Sequence, residues 1–323
     1  MPENENSVYV DTGAERCLYS PREDEVEPIA EKYRDRILRM MGASKGQAVV
    51  SDKNVFQIGN TEVLQFIDSI IKENLLPGSR IDGFDNIAKL LEAAKAGEPC
   101  LLLLEHYSNF DLPVFHYLLR QEGEIGRAAA DALVAIAGIK LNETNPVVLA
   151  FTEAYTRLVI YPSRSIEIIK QKYKDPTKEL IAELMRSASI NRAAMHALAD
   201  LKKEGKLILV FPSGTRFRPW DPSTKKGVRE IDSYIKSFSK MCLVAINGSI
   251  LRFSSADGTM VDDLICQDRV IYTAGPILDC SDFREAVKHE HRFRDDKKQA
   301  IVDEIMNQLD RIHEAAEKNR LMD

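Results

Sequence analysis

Residues 100–119 read CLLLLEHYSNFDLPVFHYLL. Five apolar residues in a row, closed by a charged one, have the pattern of a short strand buried on both faces. A polar turn, Glu105-His106-Tyr107-Ser108-Asn109-Phe110-Asp111, follows at once, and LPVFHYLL beyond it has a helical pattern. A strand leading through a short polar turn into a helix is the building unit of α/β folds, and ligands gather in such turns.

The same unit recurs downstream. Lys178–Glu204 is helical in character and stops at Gly205, Lys206–Phe211 (KLILVF) is a second buried strand, and a polar loop follows it directly. Met241–Ile246 (MCLVAI) and Arg269–Thr273 (RVIYT) predict two more strands. Phe293 to about Arg320, with Ile301, Ile305, Leu309 and Ile312 at helical spacing, closes the chain. Upstream, Asp85 is placed to cap a helix that ends near Gly97. Before that, Pro28–Met41 and Glu62–Leu76 read as helices, strand signals are weak, and Pro77-Gly78-Ser79 marks a join. The stripe Phe66, Ile67, Ile70, Ile71 and Asn74 reads as core, and the first twenty or so residues as mobile. These elements predict an α/β fold with a mixed sheet flanked by helices. Residues 1–78 are expected to form a small N-terminal helical domain, and 79–323 the α/β domain.

Composition limits what the protein does. With 44% hydrophobic and 29% charged residues, the 323-residue chain is that of an ordinary water-soluble globular protein. A formal net charge of -6 disfavours nucleic acid as a partner, so an anion site must be a local concentration of Lys and Arg. The five cysteines show no Cys-x-x-Cys spacing and read as reduced thiols, and the six histidines show no zinc pattern. No run approaches the ~18 apolar residues of a membrane span, and MPENENSVYVDTGAER has no signal-like core. The expectation is a cytoplasmic protein without metal, with at most weak peripheral contact at a membrane.

Two clusters carry the chemistry. A His, four residues and an Asp across a strand-to-helix turn can place Asp111 on Nδ1 of His106, leaving Nε2 as a base for an alcohol. Alternatively, His106 caps a turn and Asp111 a helix. The second cluster, Phe211-Pro212-Ser213-Gly214-Thr215-Arg216-Phe217-Arg218-Pro219, combines a tight backbone turn with two arginines suited to phosphate. In extended backbone, Arg216 and Arg218 point to one side; a solvated turn with its arginines paired to acids is the other reading. His116 and His196 lie in helical patterns and read as packing or surface residues, and Trp220 as a loop anchor. Lys225-Lys226 with Arg229 is either a solvated face or a contact for an acidic partner.

Together, about one hundred residues apart and in this order, the clusters resemble the glycerolipid acyltransferase family. Its first block is His, four residues, Asp, and its later block is usually Phe-Pro-Glu-Gly-Thr-Arg. Within the family the chain looks most like the soluble glycerol-3-phosphate 1-acyltransferases of plastids and some bacteria. Ser213-Gly214-Thr215-Arg216-Phe217-Arg218-Pro219 is close to their Ser-Gly-Gly-Arg-Asp-Arg-Pro. Ala137-Gly138-Ile139-Lys140 and Leu158–Ser165 follow their middle segment, although Arg164-Ser165 stands where they carry Lys-His. The resemblance spans roughly residues 80–280.

It implies that His106 and Asp111 are catalytic and that Arg216, Arg218, Arg164 and more weakly Lys140 hold the phosphate of glycerol 3-phosphate. N–H groups around Gly214 and Thr215 are the candidates for the oxyanion. The acyl donor would be a thioester of acyl carrier protein or coenzyme A, a substrate rather than a cofactor. Acylation of lysophosphatidate, or a catalytically silent module that binds lipid phosphate or carrier protein, are the competing readings.

Overall fold

The computed structural model describes residues 26–143, 145–172, 177–256, 258–291 and 295–320. The mobility expected for the first twenty residues, Cys17, and the helix start expected at Phe293 fall outside them. The strands in chain order are β1 (Glu27–Pro28), β2 (Phe56–Gln57), β3 (Arg80–Asp82), β4 (Cys100–Leu104), β5 (Leu133–Gly138), β6 (Arg157–Ile160), β7 (Leu207–Val210), β8 (Lys240–Asn247), β9 (Leu251–Arg252), β10 (Leu264–Ile265), β11 (Ile271–Ala274) and β12 (Leu278–Asp279). The helices are α1 (Ile29–Lys32), α2 (Arg34–Ala43), α3 (Thr61–Asn74), α4 (Phe84–Lys95), α5 (Asp111–Leu119), α6 (Gly123–Ala132) and α7 (Lys140–Glu143). They continue with α8 (Pro146–Glu153), α9 (Ser163–Lys172), α10 (Lys178–Lys203), α11 (Ile231–Lys236), α12 (Cys280–Glu290) and α13 (Lys297–Arg320).

Among the described residues, nine strands form one sheet in the order β2-β6-β5-β7-β4-β8-β11-β3, with β12 also paired to β8. The middle, β6-β5-β7-β4-β8, is parallel, and β2, β11 and β12 join it antiparallel. This is the mixed sheet flanked by helices that the sequence predicts. β4 and β7, which carry the two polar clusters, are neighbours in register, with Cys100 opposite Leu207 and Leu103 opposite Val210. All five parallel strands therefore end at one edge, and the loops after β4, β5, β6 and β7 open there together. A small antiparallel sheet, β1-β10-β9, stands apart.

Strand alternation divides the core. Leu102 and Leu104 of β4 join the apolar faces of α2 to α6, whereas Leu101 and Leu103 join those of α10 to α13. Apolar residues on both strand faces explain why CLLLL shows no polar alternation. The leader shares this core: Ile29, Tyr33, Ile37, Met40, Val63, Ile67, Ile70 and Ile71 are buried in the same cluster as Leu102. It also supplies β2, an edge strand on β6, where strand signals are weak. The helix expected over Pro28–Met41 is interrupted at Tyr33, whose φ of -114° and ψ of 25° are not helical. Asn60 caps α3 by accepting from the N–H groups of Glu62 and Val63. Gly83, with φ 73°, starts α4 where an Asp85 cap was expected. The four cysteines at 100, 242, 266 and 280 are free and buried, and burial pushes Cys242 up to about 12.

One carboxylate ties the leader to α8. Glu153, at the end of α8, accepts hydrogen bonds from the hydroxyl of Ser44, the N–H groups of Lys45 (2.9 Å) and Gly46 (2.8 Å), and Nδ2 of Asn60 (2.8 Å). Burial opposes its ionisation, but these donors outweigh burial and hold it below the usual glutamate range. A depressed folded value means stability that is present above the unfolded pKa and lost as pH falls through the folded one. Glu153→Gln is expected to cost about 1–3 kcal/mol at neutral pH and to flatten the acid limb of a melting-temperature profile. An unaltered acid limb would show that the leader is held elsewhere.

Candidate active site

The turn after β4 is built around the Asp111 carboxylate. Asp111 is the first residue of α5, 3% exposed, and its Oδ2 accepts the N–H groups of Tyr107 (2.6 Å) and Ser108 (2.9 Å). Its Oδ1 accepts the Ser108 hydroxyl at 3.1 Å. The Tyr272 hydroxyl donates to the Asp111 backbone carbonyl at 2.7 Å, fixing the start of α5 from β11. Into this ready-made acceptor points Nδ1 of His106, 2.9 Å from Oδ2. A ring that donates its Nδ1 proton to a carboxylate carries the Nε2 lone pair outward, as a general base requires. The imidazole is stacked on Phe211 at 4.0 Å and 17°, and 18% of the side chain remains exposed. Its orientation is thus fixed by a carboxylate on one edge and a ring on one face.

The loop after β7 closes on the same place. The N–H of Phe217 donates to the backbone carbonyl of His106 at 2.8 Å, lacing the two clusters together. Gly214, at φ 65°, makes the turn that only a residue without Cβ adopts easily, and its N–H donates to the Phe211 carbonyl at 2.9 Å. That leaves Thr215, of the two expected oxyanion donors, with an N–H that bonds no acceptor among the described residues. The Ser213 hydroxyl donates to the Thr215 carbonyl at 2.7 Å, a bond internal to the loop.

The arginines are unequal. Arg216 is buried, ion-paired to Asp263 at 2.5 Å, with its guanidinium 4.1 Å from the centre of the Phe253 ring. Asn109 donates to the same Asp263 oxygen at 3.0 Å, so Asp263 joins the first cluster to the second. Burial raises the Asp263 carboxyl to about 6, against the pull of Arg216 and Asn109. Arg218 makes a 3.3 Å bond to the Thr215 hydroxyl and has no carboxylate in an ion pair among the described residues. Its pKa is lowered, first by burial and then by the positive charges of Arg216 and Arg164. Among the described residues, these three cations face one buried carboxylate, paired to Arg216, and the weaker pull of Asp221 on Arg218, so an anion arriving here gains energy. Arg164 is exposed near the start of α9, and Lys140 is the first residue of α7, each just beyond its strand at the same sheet edge.

Other residues have plainer roles. His116 is half-buried against Tyr155, and desolvation keeps it neutral down to about 3; His196 is exposed on α10. Trp220 packs edge-on against Phe253, extending the stack under Arg216. Lys225 faces Asp310 of α13 (2.7 Å) and Arg229 faces Asp296 just before it (3.3 Å), which removes much of their attraction for an acidic partner. Asp263 and Phe253 carry no sequence pattern, because a lone acid or aromatic far from its partner leaves none; Glu105 stands in the first polar turn, but its contact with His313 lies 208 residues away. Among the described residues, no group of three or more His, Cys, Asp or Glu is placed to hold a metal ion.

A family model described as Acyltransferase matches residues 84–261, more than half of the chain, and spans both clusters. Among curated proteins nothing matches the chain.

Proposed function

The chain belongs to the acyltransferase family, and from that premise we propose that it transfers an acyl group from a thioester to the sn-1 hydroxyl of glycerol 3-phosphate. The observation that carries this reading is Arg218, a half-buried cation beside two others and, among the described residues, in no ion pair with a carboxylate, in the loop laced to His106. A phosphate held there presents its glycerol hydroxyl to a base at the same edge.

Nε2 of His106 removes the hydroxyl proton while the oxygen attacks the thioester carbonyl, and Asp111 stabilises the imidazolium that forms. The tetrahedral oxyanion takes its hydrogen bond from the Thr215 N–H. The C–S bond then breaks, and the departing thiolate collects the proton from His106. Arg218 and Arg164 hold the phosphate. Arg216 contributes the guanidinium donors that Asp263 leaves over, and Lys140 adds a more distant charge. The donor is an acyl thioester of carrier protein or coenzyme A, and the product feeds glycerolipid synthesis. Among the described residues no helix is long and apolar enough to cross a membrane, and we place the reaction in the cytoplasm with no more than peripheral contact with lipid.

A radiolabelled assay pairing glycerol 3-phosphate or lysophosphatidate with each thioester tests the choice of substrates. Turnover on lysophosphatidate alone, presented in vesicles, would replace the proposed acceptor. Arg218→Ala tests the site: the KM for glycerol phosphate is expected to rise by about 10- to 150-fold, for a charged hydrogen bond of about 1.5–3 kcal/mol. The KM for the thioester should stay within a factor of about two. Equal weakening of both substrates would take the phosphate away from Arg218.

A further inference from the structure

His106 is flanked in sequence by two residues that bond to each other. Glu105 is 4% exposed, and its Oε1 accepts the Tyr107 hydroxyl at 2.8 Å. Its Oε2 accepts the N–H of Ile246 in β8 at 2.8 Å and faces Nδ1 of His313 at 2.9 Å. His313 comes from α13, 208 residues away, and its Nδ1 also lies 3.4 Å from the Tyr107 hydroxyl. The rings of Tyr107 and His313 pack 5.6 Å apart. Asn247, at the end of β8, donates to the His313 carbonyl (3.2 Å) and to Glu317 (2.8 Å), fixing α13 to the same strand. The acidic side chain before His106 is thus sunk in the interior, and what meets it is the final helix.

We propose that His313 is a positioning residue for His106, acting through Glu105 and Tyr107, so that the last helix of the chain sets the geometry of the base. The inference rests on His106 being the base of the proposed acyl transfer. A carboxylate buried beside the turn is costly unless paired and hydrogen-bonded, and among the described residues His313 is the one basic side chain in direct contact with it. Burial alone lowers the His313 pKa, but the Glu105 charge and bond, helped by Glu317 and opposed by Lys225, lift it above the usual histidine value. Asp310, on the same helix, faces the basic loop through Lys225 and acts on Tyr107. A raised histidine value means stability present in full below the unfolded pKa and lost as pH rises through the folded one. The anchor therefore holds best when His313 is charged. With Glu105 and Tyr107 both fastened, the backbone on either side of His106 is pinned, and the imidazole is held against Asp111 and Phe211.

Two variants separate positioning from bulk stability. His313→Leu removes the donor, whereas His313→Asn places a neutral N–H close to where Nδ1–H stands. The readouts are kcat, the KM of each substrate, melting temperature, and the ring resonances of His106 in histidine-labelled protein without substrates. The Leu variant is expected to lose about tenfold in kcat, the scale of a small misplacement of a catalytic group, with each KM changed less than about twofold. Its His106 resonances should shift, and the Asn variant should recover most of both signals. Unchanged kcat and unchanged His106 resonances in a folded Leu variant would overturn the proposal, as would a loss that Asn does not restore. If the Leu variant does not fold, Tyr107→Phe breaks the Glu105 bond from the other side, and unmoved His106 resonances there would overturn it equally. Absence of acyl transfer by the unaltered protein would sink the proposed function, while the resonance comparison would still decide the structural link.

Discussion

His106→Ala is expected to lower turnover by about 10²–10⁴-fold, the usual worth of a general base, while the melting temperature changes little. The ring is 18% exposed, and the Asp111 carboxylate keeps its two backbone N–H donors and the Ser108 hydroxyl when the imidazole is removed, so the turn itself survives. Asp111→Asn should also lose most turnover, for a different reason. The carboxylate accepts His106, two backbone N–H groups and a hydroxyl. An amide carries no charge to stabilise the imidazolium, and if its N–H takes the Oδ2 side it opposes His106 and both backbone donors, so the hold on the ring weakens. Near-normal turnover by the alanine variant, at unaltered melting, would remove His106 from the chemistry.

Asp263→Ala is expected to cost about 3–5 kcal/mol of folding stability at pH 8, the scale for breaking a buried ion pair and leaving one charge behind. Arg216 would stay under Phe253 without its counter-charge, and Asn109 would lose its acceptor. An anion in the neighbouring site would replace the missing charge. Glycerol 3-phosphate should therefore raise the melting temperature of the variant by more than it raises that of the unaltered protein, by the linkage of binding to folding. Thermal melts with and without the phosphate ester measure both effects. Equal ligand shifts in the two proteins would mean that Arg216 is purely structural and does not sense the bound anion.

The sheet middle and its clusters were legible because their signals are local. CLLLL, KLILVF and MCLVAI are apolar runs too short for helices, each ended by polar residues, and they became β4, β7 and β8. β5 and β6 were harder. Leu133–Gly138 continues an alanine-rich helix without a Gly or Pro break, and Arg157–Ile160 opens on a charged residue that is nonetheless buried. β2 is two residues long and exists only because β6 offers an open edge. In the site, His106 and Asp111 are five positions apart and their bond follows from one turn. Asp263 meets Arg216 across 47 residues, and His313 meets Glu105 across 208. No periodicity records such encounters, because tertiary packing alone creates them.

The order of the sheet bears on how the chain is made. β4 lies between β7 and β8, and it ends at Leu104, whereas β7 begins only at Leu207 and β8 at Lys240. At about 5–20 residues per second, CLLLL waits roughly 5–20 s with both hydrogen-bonding edges open. An unpaired apolar strand is a template for wrong partners, so the segment that anchors His106 is the chain's chief hazard on the ribosome. Burial against α4 and α5, both complete by Leu119 and so available early, can shield one face of it. The edges wait for the second cluster to arrive. Whatever delays β7 during synthesis thus prolongs the exposure of that edge.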